Sequence, residues 1–315
     1  MNKVYQNIMV DGIEMGVKPE RGNSAFYNEG KWNNFINPLL PDDCINMTFV
    51  EFGCNAGLFL KLAKLKGFKT VIGIDKSNYA CKKAIRYRDE NGMDYQVRNE
   101  RVDGNFNYSS LPLADITLLA NFHYHLQITD FILLLDMMKS KTCYCLVVTA
   151  DVENTYCRAE SDFNSLRHYF RDWEEVSSVY PLSIKDDSTP RNMSSILFKS
   201  DLKRKSIDSI WEDNINDSRF SERAGHTTDL VKRVIEYEVI NDIKSLPSFK
   251  VREGYYSEER IINHLRHRID ALYDIKKNGM RTPIFIRSDG RLVDGLHRLC
   301  LLRELGYKSI VCRQI

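Results

Sequence analysis

The stretch Val50-Glu51-Phe52-Gly53-Cys54-Asn55-Ala56-Gly57 decides the fold class of this 315-residue chain. An acidic residue sits inside a short apolar run, and a turn bounded by two glycines follows it. Residues 57–66 then show a helical apolar pattern, and Val71-Ile72-Gly73-Ile74-Asp75 is a second apolar run closed by an acid. Strand, glycine turn, helix and strand in that order make a βαβ unit, the building block of a parallel sheet.

Working outward, apolar runs at 95–102, 114–120 and 142–149 are predicted to be further buried strands. Helical patterns at 79–90 and 128–138 separate them, the first stopped by Asn91-Gly92. Segments near 164–180 and at 194–199 complete the sheet, the second as an antiparallel edge strand. Upstream, 32–40 is predicted as a short helix ended by Pro41, which has no amide for a helix interior. Residues 1–30 show little periodicity and are expected to lie as an arm over the first core. The fold class expected is α/β, a doubly wound Rossmann-like sheet with helices on both faces.

The alternation fades near Ser200. Residues 201–216 are charged and irregular, 229–243 are more helical, and 257–277 form a long amphipathic pattern with Ile261, Ile262, Leu265, Ile269 and Leu272 on one side. A strand at 283–286, a turn at Asp289-Gly290, a helix at 295–305 and a strand at 309–312 follow. The expected division is an α/β domain with its arm over 1–200, a linker with peripheral helices over 201–244, and a small α+β domain over 245–315.

Composition narrows the class of protein more than it names a partner. An apolar fraction of 43% and a charged fraction of 28% are those of an ordinary globular chain. The net charge of +2 gives no general argument for a nucleic-acid partner. Residues 1–200 carry 23 Lys and Arg against 25 Asp and Glu, and 201–315 carry 22 against 18, a slight basic bias that suits phosphate better than polynucleotide. No apolar run approaches membrane-spanning length and no secretory leader is evident, so a cytoplasmic, reducing setting is expected. Among the eight cysteines, Cys143, Cys145 and Cys300 lie in apolar runs and are expected as small buried hydrophobes. No cysteine spacing suggests a metal site.

At the carboxyl edge of a parallel sheet a ligand meets the turn after the first strand and the start of the next helix. Gly53 and Gly57 would let the backbone turn tightly there, helix-end amides would receive an anion, and Asp75 would accept from two ribose hydroxyls. A tight strand–helix joint with Asp75 as a cap would use the same residues without a ligand. The segment Glu51–Gly57 lacks the Gly-x-Gly-x-x-Gly fingerprint of dinucleotide enzymes, which counts against an oxidoreductase.

With these residues, 26–200 resembles a class I S-adenosylmethionine-dependent methyltransferase, Glu51-Phe52-Gly53-Cys54-Asn55-Ala56-Gly57 standing for that family's acidic–x–Gly–x–x–x–Gly motif. The resemblance implies that Glu51, Gly53, Cys54, Asn55 and Gly57 border the methionine part of the cofactor. It also implies that Asp75 holds the ribose and Asp103 lies near the adenine. Ala120-Asn121-Phe122-His123-Tyr124-His125-Leu126 follows the fourth strand, where the family lines the acceptor. It lacks the Asn/Asp-Pro-Pro-Tyr motif of many amino-methyltransferases. His123 or His125, the latter preferred, could act as the base on a hydroxyl, since imidazole titrates near neutrality. Structural packing or helix capping is the alternative role for either. Lys31, Trp32 and Arg191 are candidates for the acceptor pocket, each also explicable as a surface cation or a packed aromatic.

The C-terminal segment Asp294-Gly295-Leu296-His297-Arg298 carries a second resemblance, over 245–315, to the ParB/sulfiredoxin-like domain. Members bind nucleotides, and the start of this helix cradles phosphate; here Asp294, Gly295, His297 and Arg298 would do so, with Asp294 also a candidate for magnesium or for an N-cap. Sulfiredoxin chemistry needs a cysteine where Leu296 stands. The preferred function is therefore methyl transfer to a hydroxyl of a sugar or other small phosphate-bearing or nucleotide-linked metabolite. Alternatives are a bifunctional enzyme that also uses ATP and magnesium as a kinase, a nucleic-acid methyltransferase, and a cofactor-binding regulator without turnover. A small-molecule or glycan-like substrate is favoured over nucleic acid, no membrane partner is expected, and the oligomeric state is not legible.

Overall fold

A computed structural model describes residues 6, 8–10, 12–15, 28–103, 105–150, 163–184, 191–236, 243–250, 252 and 254–315. The chain divides into two compact units: Met1–Tyr108 with Ala114–Asp201, and Ser109–Leu113 with Leu202–Ile315.

The first unit opens with a small antiparallel hairpin, β1 (Ile8–Val10) and β2 (Ile13–Met15). Ile8 and Val10 are buried in the core of that unit. After α1 (Asn28–Lys31), Trp32–Ile36 winds as a π-helix and Asn37–Leu39 as a 3₁₀ turn with Pro38 near its start. The single helix expected over 32–40 is thus a wider and then a tighter coil. Its faces supply Trp32, Phe35 and Ile36 to the core.

The main sheet has seven strands in the order β5-β4-β3-β6-β7-β9-β8. These are β3 (Thr48–Phe52), β4 (Thr70–Asp75), β5 (Gln96–Asn99), β6 (Ala114–Ala120), β7 (Thr142–Ala150), β8 (Glu174–Ile184) and β9 (Arg191–Lys199). The first five are parallel. They alternate with α2 (Leu58–Lys66), α3 (Asn78–Glu90) and α4 (Ile128–Lys139). Near-continuous burial of β3, β4 and β6 is what a parallel sheet covered on both faces requires. Ser77 caps α3 by accepting from the Ala80 amide at 3.2 Å, and α2 ends on Gly67 in the left-handed conformation.

Two sequence expectations change here. The segment at 164–180 is not one strand but α5 (Phe163–Tyr169) followed by β8. The strand at 194–199 is antiparallel as expected, yet it lies inside the sheet, between β7 and β8. Burial explains the place: Met193 to Phe198 are all buried, and Phe198 stacks on Phe170 at 4.1 Å, so both faces of β9 are covered.

The second unit has a four-stranded sheet ordered β10-β13-β11-β12. Its strands are β10 (Lys203–Ser206), β11 (Ile284–Ile286), β12 (Leu292–Asp294) and β13 (Ser309–Gln314), and β11 and β13 are parallel. Its helices are α6 (Ile207–Ile215), α7 (Ser218–Glu236), α8 (Pro247–Lys250), α9 (Glu258–Asn278) and α10 (Leu296–Glu304). Residues 203–236, read from sequence as linker and peripheral helices, supply β10, α6 and α7. Ala224, Leu230, Val231 and Val234 of α7 share a core with Leu265 of α9 and Leu301 of α10. Irregular charge had concealed this: α7 buries a narrow stripe beneath an otherwise polar surface. No helix among the described residues is long and apolar enough to cross a membrane.

Candidate functional site

In the main sheet the chain runs outward from β3 to β4 and β5, then returns to β6 on the other side of β3. Ligands of doubly wound sheets bind outside the carboxyl ends of the strands at this reversal. Glu51 and the glycine turn after β3, Asp75 at the end of β4, and the turn after β6 all lie along that edge.

The glycine turn is tied down by backbone bonds. The amides of Gly53 and Cys54 donate to the Ile74 carbonyl at 2.7 and 3.2 Å, and that of Gly57 donates to the Cys54 carbonyl at 2.9 Å. The amide of Asn55, itself at φ 47°, donates to Asp75 Oδ2 at 2.9 Å, while the Ser77 amide donates to Oδ1 at 2.8 Å. Each carboxylate oxygen keeps a further lone pair, so Asp75 can orient the loop and still accept from a ligand. Gly53, at φ 78°, passes so close to the turn after β6 that a Cβ there would stand 2.6 Å from Phe122 Cδ2. Cys54 differs from its sequence expectation: its thiol is fully buried, facing Gly73 beneath the turn, so only its backbone belongs to the edge.

At the start of α2, expected to offer amides to an anion, the first amide is already engaged. The Leu58 amide donates to Gln6 Oε1 at 2.9 Å, and the Gln6 amide reaches Asn55 Oδ1 at 3.4 Å. Gln6 was not legible as a site residue, because its partners lie some fifty positions away in the chain.

Among the described residues of this unit, Glu51 Oε2, Asn121 Oδ1, Tyr108 Oη, His123 Nδ1, Trp173 Nε1 and Ser195 Oγ are buried without a hydrogen-bond partner. Asn121, at φ 54°, directly follows β6, and its amide donates to the Val148 carbonyl at 2.8 Å. Tyr108 belongs to an aromatic group with Phe106, Phe52 and Phe122, whose ring centroids lie 4.6 to 6.4 Å apart in contacting pairs. Asp103 adjoins this group, its carbonyl accepting from the Phe106 amide at 3.0 Å; its carboxylate pairs with Arg101 at 3.3 Å. Buried orphan atoms cost free energy unless a ligand or water serves them, and Glu51 in β3 and Asn121 directly after β6 put two of them on adjacent strands.

Ionisation at this edge is perturbed. Burial, reinforced by Asp75 and opposed by Lys31, holds the Glu51 carboxyl well above the usual carboxylate range. Lys31, half-buried at the end of α1, is pushed down to about 8 by burial, against the pull of Glu51. A buried acid and a half-buried amine that bias each other are the groups an amino-acid zwitterion would need.

The remaining sequence candidates separate clearly. Residues 123–125 form a 3₁₀ turn that buries one histidine and exposes the other. His123 is fully buried, with Nε2 at 3.5 Å from Thr149 Oγ1, and burial followed by His125 pushes it down to about 3. A sealed imidazole with so low a proton affinity is a packing residue, which corrects its reading as a base. His125 is exposed. Trp32 is also corrected: it is 5% exposed and stacks on Phe59 at 6.2 Å, so it is core and not pocket wall. Arg191 opens β9, and its side chain lies outside the described residues.

In the second unit, Gly295 turns the chain into α10 at φ 107° and faces Ile284, whose Cβ would lie 2.8 Å from an added Cβ. Arg298 does not project freely. It pairs with Asp294 Oδ2 at 2.5 Å and bonds the Thr282 carbonyl at 3.3 Å and its hydroxyl. His297 Nε2 lies 2.9 Å from Arg268 Nη1 on α9.

No family model matches the chain, and no curated protein matches it. Among solved structures, TehB from Haemophilus influenzae is similar at 14% identity and a TM-score of 0.42, over 55% of this chain and 66% of that one. N-methyltransferase NodS from Bradyrhizobium japonicum WM9 with S-adenosyl-L-homocysteine gives 16% and 0.41, over 50% and 79%. The N-terminal domain of EvdMO1 with S-adenosylhomocysteine bound gives 14% and 0.43, over 62% and 91%. Likeness of this size assigns no reaction to the chain.

Proposed function

We propose that the first unit binds S-adenosylmethionine at the strand edge between β3, β4 and β6 and transfers its methyl group. The observation that carries this reading is the buried Glu51 carboxyl, with its Oε2 unpartnered, beside a glycine turn that Asp75 holds in place. Glu51 receives the ammonium of the methionine end and Lys31 its carboxylate, which suits a helix start already occupied by Gln6. Asp75 accepts from the ribose through its remaining lone pairs, and the aromatic group of Phe52, Phe106 and Phe122 flanks the adenine beside Asp103.

The cofactor supplies a methyl already activated on sulfur, so these residues need to align the acceptor and exclude water. His125 takes the acceptor proton at an imidazole nitrogen. The acceptor is a hydroxyl of a sugar or other small metabolite bearing phosphate or a nucleotide, and the second unit binds that phosphate or nucleotide. The sequence resemblance and the basic bias of residues 201–315 favour this acceptor class.

The test is incubation of the whole protein with S-adenosylmethionine and extracts of host metabolites, followed by intact mass. A product heavier by one methyl group, reduced in Asp75→Ala, supports the reading. Methyl transfer confined to polynucleotide would overturn the acceptor class. If ATP and magnesium add phosphate to the product, the second unit is a kinase as well as a binding module.

A further inference from the structure

The second unit gathers five basic side chains with no carboxylate paired to them among the described residues. Arg223 comes from α7, Arg252 precedes α9, His264 and Arg268 lie one turn apart on α9, and His297 opens α10. Arg268 Nη1 and His297 Nε2 are 2.9 Å apart. A guanidinium can only donate, so His297 is held as a neutral acceptor with its proton on Nδ1. Nη1 of Arg252 is buried and has no hydrogen-bond partner.

Three other cations of the same unit are paired. Lys244 meets Glu258 at 2.5 Å, Arg281 meets Asp274 at 2.8 Å, and Arg298 meets Asp294 at 2.5 Å. Within the cluster, each group works against the charge of the next. His297 is pushed down to about 4, first by burial and then by Arg268, Arg252, Arg223 and His264. Arg268 falls to about 10 through burial, Arg252 and Arg223. His264 is lowered by burial and by Arg268, Arg252, His267 and Arg260, and Arg252 by burial against only Tyr256. Self-repulsion of this kind destabilises the unliganded fold and is relieved by a bound anion.

We propose that Arg252 and Arg268, with Arg223, His264 and His297 around them, form a binding site for a linked di- or triphosphate group of a small molecule. The proposal rests on the reading that the second unit binds phosphate, and it relocates the seat of that phosphate. Three guanidinium groups exceed what one phosphate can neutralise, and their planar forks match phosphate oxygens in pairs. Arg298, the guanidinium that sequence pattern favours, instead braces its own turn through Asp294 and Thr282. An anion here would also favour protonation of His297, turning its Nε2 from acceptor to donor.

Calorimetric titration of the whole protein with inorganic tripolyphosphate, orthophosphate and a short single-stranded oligonucleotide tests the site. Tripolyphosphate is expected to bind about tenfold or more tighter than orthophosphate. Arg252→Gln and Arg268→Gln should each weaken it by about tenfold or more, as charge-assisted hydrogen bonds are lost. Lys244→Gln removes the same charge from a paired position and should leave the affinity as it was. Without ligand, Arg268→Gln should melt at or above the wild-type temperature, and tripolyphosphate should raise the wild-type midpoint more than the variant's. Unchanged tripolyphosphate affinity in both cluster variants would overturn this site while leaving phosphate binding by the unit intact. Absence of any phosphate binding by the wild type would overturn both. Tighter binding of the oligonucleotide, lost in the same variants, would contradict a small-molecule ligand.

Discussion

The backbone amide of Asn55 donates to Asp75 Oδ2 at 2.9 Å, so the glycine turn after β3 and the end of β4 are one rigid piece. A residue that sequence pattern suggests for ribose therefore also sets the shape of the loop beside it.

Asp75→Ala is expected to do two kinds of damage. Two backbone amides, those of Asn55 and Ser77, lose their acceptor, which costs roughly 1–3 kcal/mol of stability. Affinity for S-adenosylhomocysteine should fall by about tenfold or more. Urea unfolding and calorimetry read the two effects separately, and Asp75→Asn should restore part of the stability but not the affinity.

Gly53→Ala tests the close approach of two loops. The residue holds φ at 78°, where an L side chain costs about 1–2 kcal/mol, and the new methyl would push against Phe122. A lower melting temperature together with weaker cofactor binding is expected. A variant that melts lower yet binds normally would place the ligand away from this turn.

Acid sensitivity should report His123. Its folded-state affinity for protons is depressed to about 3, so the unfolded chain takes up the proton first as pH falls. Its contribution to stability is complete above the ordinary histidine range near 6.5 and is lost progressively as pH drops toward 3. Between pH 6.5 and 5 the loss should be roughly 1–2 kcal/mol, and His123→Gln should remove that slope from urea unfolding. His297, lowered to about 4, adds a slope of the same sign in the second unit.

His125→Ala should lower the rate of methyl transfer by about a hundredfold or more while leaving the melting temperature unchanged, as for an exposed general base. A normal rate would move the base elsewhere.

How far the sequence carried the reading follows from the distance over which each feature is encoded. The turn from Gly53 to Gly57, the strand ending in Asp75 and the helix between them are local, so periodicity and glycine placement foretold them. Strand order is not local: β9 reads like any short apolar strand, and only burial of both its faces puts it between β7 and β8. The same limit hid Gln6 at the start of α2, Phe122 against Gly53, and the meeting of Arg268 with His297. The preference for His125 over His123 could be no more than slight from sequence, because the 3₁₀ turn that buries one ring and exposes the other is not encoded in the spacing of the pair.

Titration of the whole protein with S-adenosylhomocysteine at pH 7, in buffers of different ionisation enthalpy, tests the central claim most directly. Burial holds the Glu51 carboxyl well above the usual carboxylate range in the free protein, and a cationic ammonium beside it should lower it again. Binding with release of up to about one proton is expected, with the release absent in Glu51→Gln. No binding of S-adenosylhomocysteine, or binding with identical proton release in Glu51→Gln, would contradict the placement of the cofactor at this edge.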